Sequence, residues 1–310
     1  MEYRQLGRTG LNISRIGFGC AAMGGYDYGR VNDEDSIAAV HRALEVGVNF
    51  FDTADIYGFG HSEEVLGKAL AGRAADVVVA TKVGVAWDDR GRRRRDLSAA
   101  YIRTAIDNSL RRLRLESIAL YQIHWPDPET PIEETAGALL ACQRAGKLQS
   151  IGCCNFSLGE VAALLSKCRI ESIQLPYSLT DRRALGVLQR CREEYDMATL
   201  CYNVLAQGLL TGKYNQDSRF HQTDLRQRSS IFADGQLAGN LSALEQLRLV
   251  GARHSRTAAQ AAVRWALHHP AVTCAITGAK HAQQVDENAG GAGWSLSAAD
   301  QTILDQAYSV

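Results

Sequence analysis

The feature that most constrains this 310-residue chain is a repeated change of hydrophobic period. Short apolar runs of strand length alternate with longer segments of helical period from one end to the other, with no Pro-, Gly- or Ser-rich linker between them. The strand-like runs fall near residues 16–19, 48–52, 77–82, 118–124, 150–154, 172–175, 199–202 and 274–277. Helical patterns cover 33–45, 62–70, 98–113 and 131–145, continue between the later strands, and end with 297–308. Ser62 reads as a helix cap with Glu63 and Glu64 in the first turn, and Pro131 suits a helix start. Eight strand–helix units predict a single α/β domain over 1–310, a closed parallel (β/α)8 barrel. A doubly wound open sheet is the alternative. An N-terminal hairpin turning at Arg8, Thr9 and Gly10 precedes the barrel, and extra C-terminal helices follow it. The longest irregular stretch, 214–235, comes after the seventh strand, where a loop of that length suits a lid.

In such a barrel the chemistry lies at the carboxyl ends of the strands. Those ends carry Asp52, Lys82 and His124, with Tyr57 just past Asp52. A lysine in the poorly solvated barrel centre requires an anionic partner, and Asp52 is the candidate. The ammonium then favours phenolate over phenol, lowering the Tyr57 pKa from its reference near ~10 and making it a proton donor to a carbonyl oxygen. His124 is placed to hydrogen-bond the same oxygen. Any one of Asp52, Lys82 and His124 is commonly structural; the three at successive strand ends, with Tyr57 beside them, describe a site that reduces carbonyls or oxidises alcohols and needs a hydride source.

Composition removes other classes. Lys+Arg and Asp+Glu both total 34, so the net charge is zero, unlike nucleic-acid binders and polybasic membrane anchors. No apolar run is long enough for a membrane span and no secretory signal is visible, which with eight cysteines lacking any C-x-x-C spacing predicts a reduced, cytoplasmic protein with no metal site. The pair His268-His269 reads as the end of a helix before Pro270 rather than a metal pair. Gly208 to Lys213 lacks the P-loop spacing, and no G-x-G-x-x-G follows a strand, so nucleotide binding cannot rest on either fingerprint.

Across nearly its whole length the chain resembles the aldo-keto reductase superfamily. The resemblance is carried by Phe51-Asp52-Thr53-Ala54-Asp55-Ile56-Tyr57-Gly58, Ser62-Glu63-Glu64-Val65-Leu66-Gly67 and Ala80-Thr81-Lys82. It continues through Ile151-Gly152-Cys153-Cys154-Asn155-Phe156, the stretch from Leu205 to Lys213, Gly278-Ala279-Lys280 and Glu287-Asn288. The chain ends soon after its last helical pattern, as in the bacterial, short-tailed branch. The resemblance implies NADP(H)-dependent interconversion of a small carbonyl compound and its alcohol, with Asp52, Tyr57, Lys82 and His124 as the catalytic tetrad. It implies that Asn155 and Gln174 hold the cofactor carboxamide, that Tyr202 stacks on the nicotinamide, and that Asn203, Leu205, Gln207, Gly208 and Lys213 follow the pyrophosphate. Gly278, Lys280, Gln284, Glu287 and Asn288 match the segment around the adenosine 2′-phosphate, at a helix start suited to an anion.

The chain departs from the family pattern at three places. Cys154 replaces a usual serine and predicts a weaker carboxamide hydrogen bond. Asn203-Val204 replaces Ser-Pro and predicts a looser turn. Gln284 stands where some branches have arginine, which removes one charge-assisted bond and makes NAD(H) an acceptable second cofactor. Met23, Tyr26, Trp87 and Trp125 follow strand ends and are expected as walls of the substrate pocket. The run Arg92-Arg93-Arg94-Arg95 reads as a solvated loop, with attraction of an anionic substrate as the sharper alternative. Two other functions fit the same pattern: a cofactor-sensing regulatory subunit with little turnover, and a barrel enzyme using Lys82 as a Schiff-base nucleophile.

Overall fold

A computed structural model describes residues 1–25, 29, 31–222 and 224–308. A hairpin of β1 (Tyr3–Gln5) and β2 (Asn12–Ser14) leads into β3 (Ile16–Gly19), α1 (Asp33–Glu45), β4 (Phe50–Asp52), α2 (His61–Ala69) and β5 (Val78–Val83). A second hairpin, β6 (Val85–Trp87) with β7 (Arg93–Arg95), precedes α3 (Ala99–Leu113), β8 (Ile118–Ile123), α4 (Ile132–Arg144) and β9 (Leu148–Cys154). Then come α5 (Leu158–Leu165), β10 (Ser172–Pro176), α6 (Leu185–Tyr195), β11 (Ala198–Tyr202), α7 (Asp234–Arg253), α8 (Ala258–His268), β12 (Cys274–Gly278), α9 (Ala282–Ala289) and α10 (Ala298–Ala307). Strands β3, β4, β5, β8, β9, β10, β11 and β12 close into one parallel barrel, which excludes the open-sheet alternative.

Period-two alternation sorts each strand into an outer and an inner set. Phe51, Val79, Tyr121, Ile123 and Cys153 face outward and pack with the helices. Phe50, Val78, Ala80, Leu120, Ala198, Leu200, Cys274 and Ile276 fill the interior, and Leu6 and Ile13 of the β1–β2 segment join them to plug one end. Two residues further along the same strands the interior turns polar: Asp52 follows Phe50, Lys82 follows Ala80 and Gln122 follows Leu120. That polar layer closes the apolar core beneath the mouth.

The helices start where local chemistry satisfies their free amides. Asn32, Ser98, Ser157 and Thr257 cap α1, α3, α5 and α8 with their side chains, the last two as capping boxes with Glu160 and Gln260. Helix α2 differs from the sequence expectation. It begins at His61 after Gly60, with no side-chain cap, because the Ser62 hydroxyl is buried and donates instead to the Cys20 carbonyl at 2.9 Å. Glu63, in its first turn, is fully buried and accepts from the Thr81 hydroxyl at 2.6 Å and the Arg112 Nε at 2.7 Å. This link ties α2 and α3 to β5 one residue before Lys82.

The 92–95 run is solvated, with all four arginines exposed, but it is not a loop. Its last three residues form β7, paired with β6 in the register Val85↔Arg95, Ala86↔Arg94 and Trp87↔Arg93. The 214–235 stretch is also more ordered than its sequence suggests, with 3₁₀ turns at Leu225–Arg228 and Ser230–Phe232. Tyr214, Phe220 and Phe232 form an aromatic cluster there, with ring centroids 4.7–5.4 Å apart. Among the described residues no helix is long and apolar enough to cross a membrane.

Replacing Arg112 with Met leaves the Glu63 carboxylate buried without its cation, a change that costs about 3–5 kcal/mol in comparable buried pairs. Denaturant unfolding of Arg112→Met against the parent protein measures it, and a loss under 1 kcal/mol would contradict this account.

Candidate active site

The polar layer places its charges by strand register. Lys82 pairs with Gln122 across β5 and β8, and Asp52 pairs with Ala80 across β4 and β5. The Lys82 ammonium is 1% exposed and donates to Asp52 Oδ2 at 2.7 Å, to the Thr53 carbonyl at 2.8 Å and to the Tyr57 hydroxyl oxygen at 3.3 Å. The other Asp52 oxygen accepts from Gln174 Nε2 at 2.8 Å and from Gln122 Nε2 at 3.1 Å. Burial works against the lysine charge, but the Asp52 carboxylate and Tyr57 outweigh it, so the ammonium pKa lies above the ordinary lysine value. An amine held protonated in this way is a poor Schiff-base nucleophile, which counts against that alternative.

Tyr57 is positioned by its loop. Gly58, at φ 62°, lies against Gly24, and a Cβ at Gly24 would sit 2.6 Å from the Gly58 nitrogen and 2.7 Å from the Tyr57 carbonyl carbon. Only two residues without side chains allow the backbones to approach so closely. His124, immediately after β8, meets the Tyr57 ring edge-on with centroids 5.7 Å apart. Its backbone N–H donates to the Val83 carbonyl at 2.8 Å, holding it beside the end of β5. Burial, followed by the charges of Lys82 and Arg95, pushes the imidazole pKa well below its usual value, so the ring is neutral. Nδ1 is buried with no hydrogen-bond partner among the described residues.

Asp52, Tyr57 and His124 lie on the wall of a cavity of about 1310 Å³. Each of the thirteen residues assigned to the cofactor from the sequence lines it as well: Asn155, Gln174, Tyr202, Asn203, Leu205, Gln207, Gly208, Lys213, Gly278, Lys280, Gln284, Glu287 and Asn288. Asn155 donates to the His124 carbonyl at 2.9 Å and accepts from the Tyr202 hydroxyl at 2.8 Å, which fixes both side chains. The turn at Asn203 is tied rather than loose. Asn203 takes the left-handed conformation (φ 59°) and its Oδ1 accepts from the Gln207 N–H at 2.9 Å, replacing the stiffness that proline would supply. Cys154 is buried with its thiol 3.6 Å from Gln122 Oε1. Gln284 Oε1 accepts from the Lys280 N–H at 2.8 Å and so shapes the turn into α9.

The pocket-wall expectations divide. Trp125 lines the cavity. Met23 does not: at 1% exposure it belongs to the core. Trp87 packs beside Phe59 with centroids 5.9 Å apart instead of lining the cavity. Tyr26 lies outside the described residues. The sequence reading missed Thr53 and Gln122, which have no charge to draw attention, and Arg226, from the 214–235 stretch, which lines the cavity and pairs with Asp224. Strand alternation from Leu120 offered a signal for Gln122. All eight cysteines are buried free thiols, and no cluster able to hold a metal exists among the described residues.

Residues 15–309 match the Aldo/keto reductase family. The chain belongs to that family. It is 37% identical to the aldo-keto reductase YhdN of Bacillus subtilis, an alignment covering 100% of this chain and 95% of that one. It is 32% identical to the NADH-specific methylglyoxal reductase of Escherichia coli, over 98% and 97% of the two chains. Among solved structures, the glycerol dehydrogenase of Gluconobacter oxydans superposes with a TM-score of 0.91 at 35% identity, covering 98% of this chain and 94% of that one. This aldo-keto reductase is therefore an NAD(P)H-dependent oxidoreductase of carbonyl and alcohol groups.

Replacing Gly58 with Ala drives a Cβ into the Gly24 carbonyl oxygen at a backbone angle that alanine resists. The Tyr57 loop must shift, and misplacement by about 1 Å is enough for roughly 10²-fold loss of rate. The expected result for Gly58→Ala is a kcat at least about tenfold lower with the barrel still folded by circular dichroism. Unchanged kcat would show that the contact does not position Tyr57.

Proposed function

We propose that this enzyme reduces an aldehyde or ketone to an alcohol with NADPH, or catalyses the reverse oxidation, with Tyr57 as the general acid. The observation that carries this reading is the 3.3 Å contact between the Tyr57 hydroxyl and an ammonium kept charged by Asp52. A reduced nicotinamide, when bound, would supply the hydride for the carbonyl carbon. Tyr57 gives its proton to the carbonyl oxygen, completing the hydroxyl, and Lys82 stabilises the negative charge that develops on the phenolic oxygen. A neutral His124 donates a hydrogen bond to the same oxygen and orients the carbonyl without competing for the proton. In the oxidative direction each proton moves the opposite way.

The residues present suit a dinucleotide. The cavity reaches from Tyr57 past Tyr202 to Lys213, Arg226 and Lys280. Burial and the neighbouring charges of Arg226 and Lys213 lower the Lys280 pKa, a gathering of cations that an anion relieves. The buried Gln207 Oε1 has no hydrogen-bond partner among the described residues and is available to a ligand donor. Asn155 and Tyr202 are assigned to the nicotinamide end, and Lys280 with Gln284 to the adenosine end. Lys280 favours NADPH over NADH, and Gln284, being uncharged, leaves NADH usable.

For Tyr57→Phe the expected outcome is a loss of at least about 10² in kcat, the usual worth of a positioned acid, with NADPH affinity retained in fluorescence titration. Near-normal turnover would remove the assigned role. Steady-state kinetics with both cofactors test the preference: kcat/KM is expected to be higher with NADPH, and an equal or better value with NADH would overturn it.

A further inference from the structure

The β6–β7 hairpin rises from the end of β5. In the ring of eight strands β5 and β11 are four places apart in either direction, so the hairpin stands across the mouth from the segment that follows β11. That segment, Asn203 to Lys213, is the one assigned to the cofactor, and Tyr57 and His124 lie in the cavity between the two sides. The register places Arg93 and Arg95 opposite Trp87 and Val85, on one face of the hairpin.

The arginines of β7 are held in different ways. Arg94 Nη1 lies 2.7 Å from Asp96 Oδ2, which neutralises it. Arg93 lies over the Phe59 ring, 5.6 Å from its centroid. Arg95 has no ion-pair partner among the described residues, and its guanidinium is 4.6 Å from the centroid of Trp125. Asp127 is the acid whose charge reaches it. Both Asp127 oxygens are already engaged, by the backbone N–H groups of Leu97 and Glu129 and by the Thr130 hydroxyl. Arg95 and Trp125 both line the cavity, and Trp125 directly follows His124 in the chain. A guanidinium braced on an aromatic face loses little freedom on binding and keeps its N–H fork available to two acceptor oxygens.

We propose that Arg95, braced by Trp125, selects carbonyl substrates that carry an oxyanion, a carboxylate or a phosphate, away from the reacting carbon. The substrate assignment rests on the hydride-transfer reading above, while the anion site can be measured without it.

The experiment compares kcat/KM for two pairs of aldehydes, 4-carboxybenzaldehyde against 4-methylbenzaldehyde and glyceraldehyde 3-phosphate against glyceraldehyde. Parent, Arg95→Gln and Arg94→Gln proteins are compared, so intrinsic differences in carbonyl reactivity cancel between variants. The anionic-to-neutral ratio is expected to fall about tenfold or more in Arg95→Gln for at least one pair, chiefly through KM, as loss of a charge-assisted hydrogen bond requires. The pair affected distinguishes carboxylate from phosphate. The ratio should stay within about twofold in Arg94→Gln. A ratio unchanged in Arg95→Gln, or falling equally in both variants, overturns the assignment. Calorimetric titration with benzoate and with inorganic phosphate reads the anion site without turnover. If no aldehyde is reduced, the hydride-transfer reading fails. The site then stands on a tenfold or greater weakening of either anion in Arg95→Gln, and falls if neither weakens.

Discussion

A single ion pair on the barrel axis organises the rest of this protein. Lys82 and Asp52 are both nearly inaccessible to water and would be expensive to bury apart. Together they satisfy each other, and the remaining capacity of each is used within the barrel: Thr53 and Tyr57 on the lysine, Gln122 and Gln174 on the carboxylate. Four barrel strands, β4, β5, β8 and β10, therefore meet at one carboxylate. The same arrangement that makes the interior tolerable sets a fixed positive charge beneath Tyr57. On the proposed reading, stability and reactivity rest on the same atoms.

The surroundings hold this pair in register. Below it, the apolar interior residues and the N-terminal plug fix the height of the polar layer. Beside it, Thr81, Glu63 and Arg112 bind β5 to its two flanking helices. Above it, the Gly24–Gly58 contact fixes the loop that carries Tyr57. Asp55, two residues before Tyr57, is buried as well; its burial and the charge of Glu63 hold its pKa well above the usual carboxylate range. That shift favours the uncharged acid and so lessens negative charge close to the phenol.

Much of this was legible in the chain because strand ends in a parallel barrel converge. The alternation of periods located all eight strands, and the charged or titratable residues at their ends named Asp52, Lys82 and His124. What stayed hidden depends on tertiary contact. Ser62 has the composition of a helix cap, but a nearby carbonyl of Cys20 takes its hydroxyl. Met23 follows a strand, as a pocket residue would, yet its side chain turns into the core. Asn203 in place of a more rigid residue suggested slack, while its side chain supplies the tie directly. Four successive arginines resemble a solvated loop; they are exposed, but cross-strand pairing and the rings of Phe59 and Trp125 give three of them defined positions.

The two-stranded insert between β5 and α3 contributes no strand to the barrel wall. Its exposed residues can change without disturbing the axial charge pair or the interior layer. On the proposed reading, changes confined to this appendage would retune what enters the mouth and leave the Asp52–Lys82–Tyr57 centre intact.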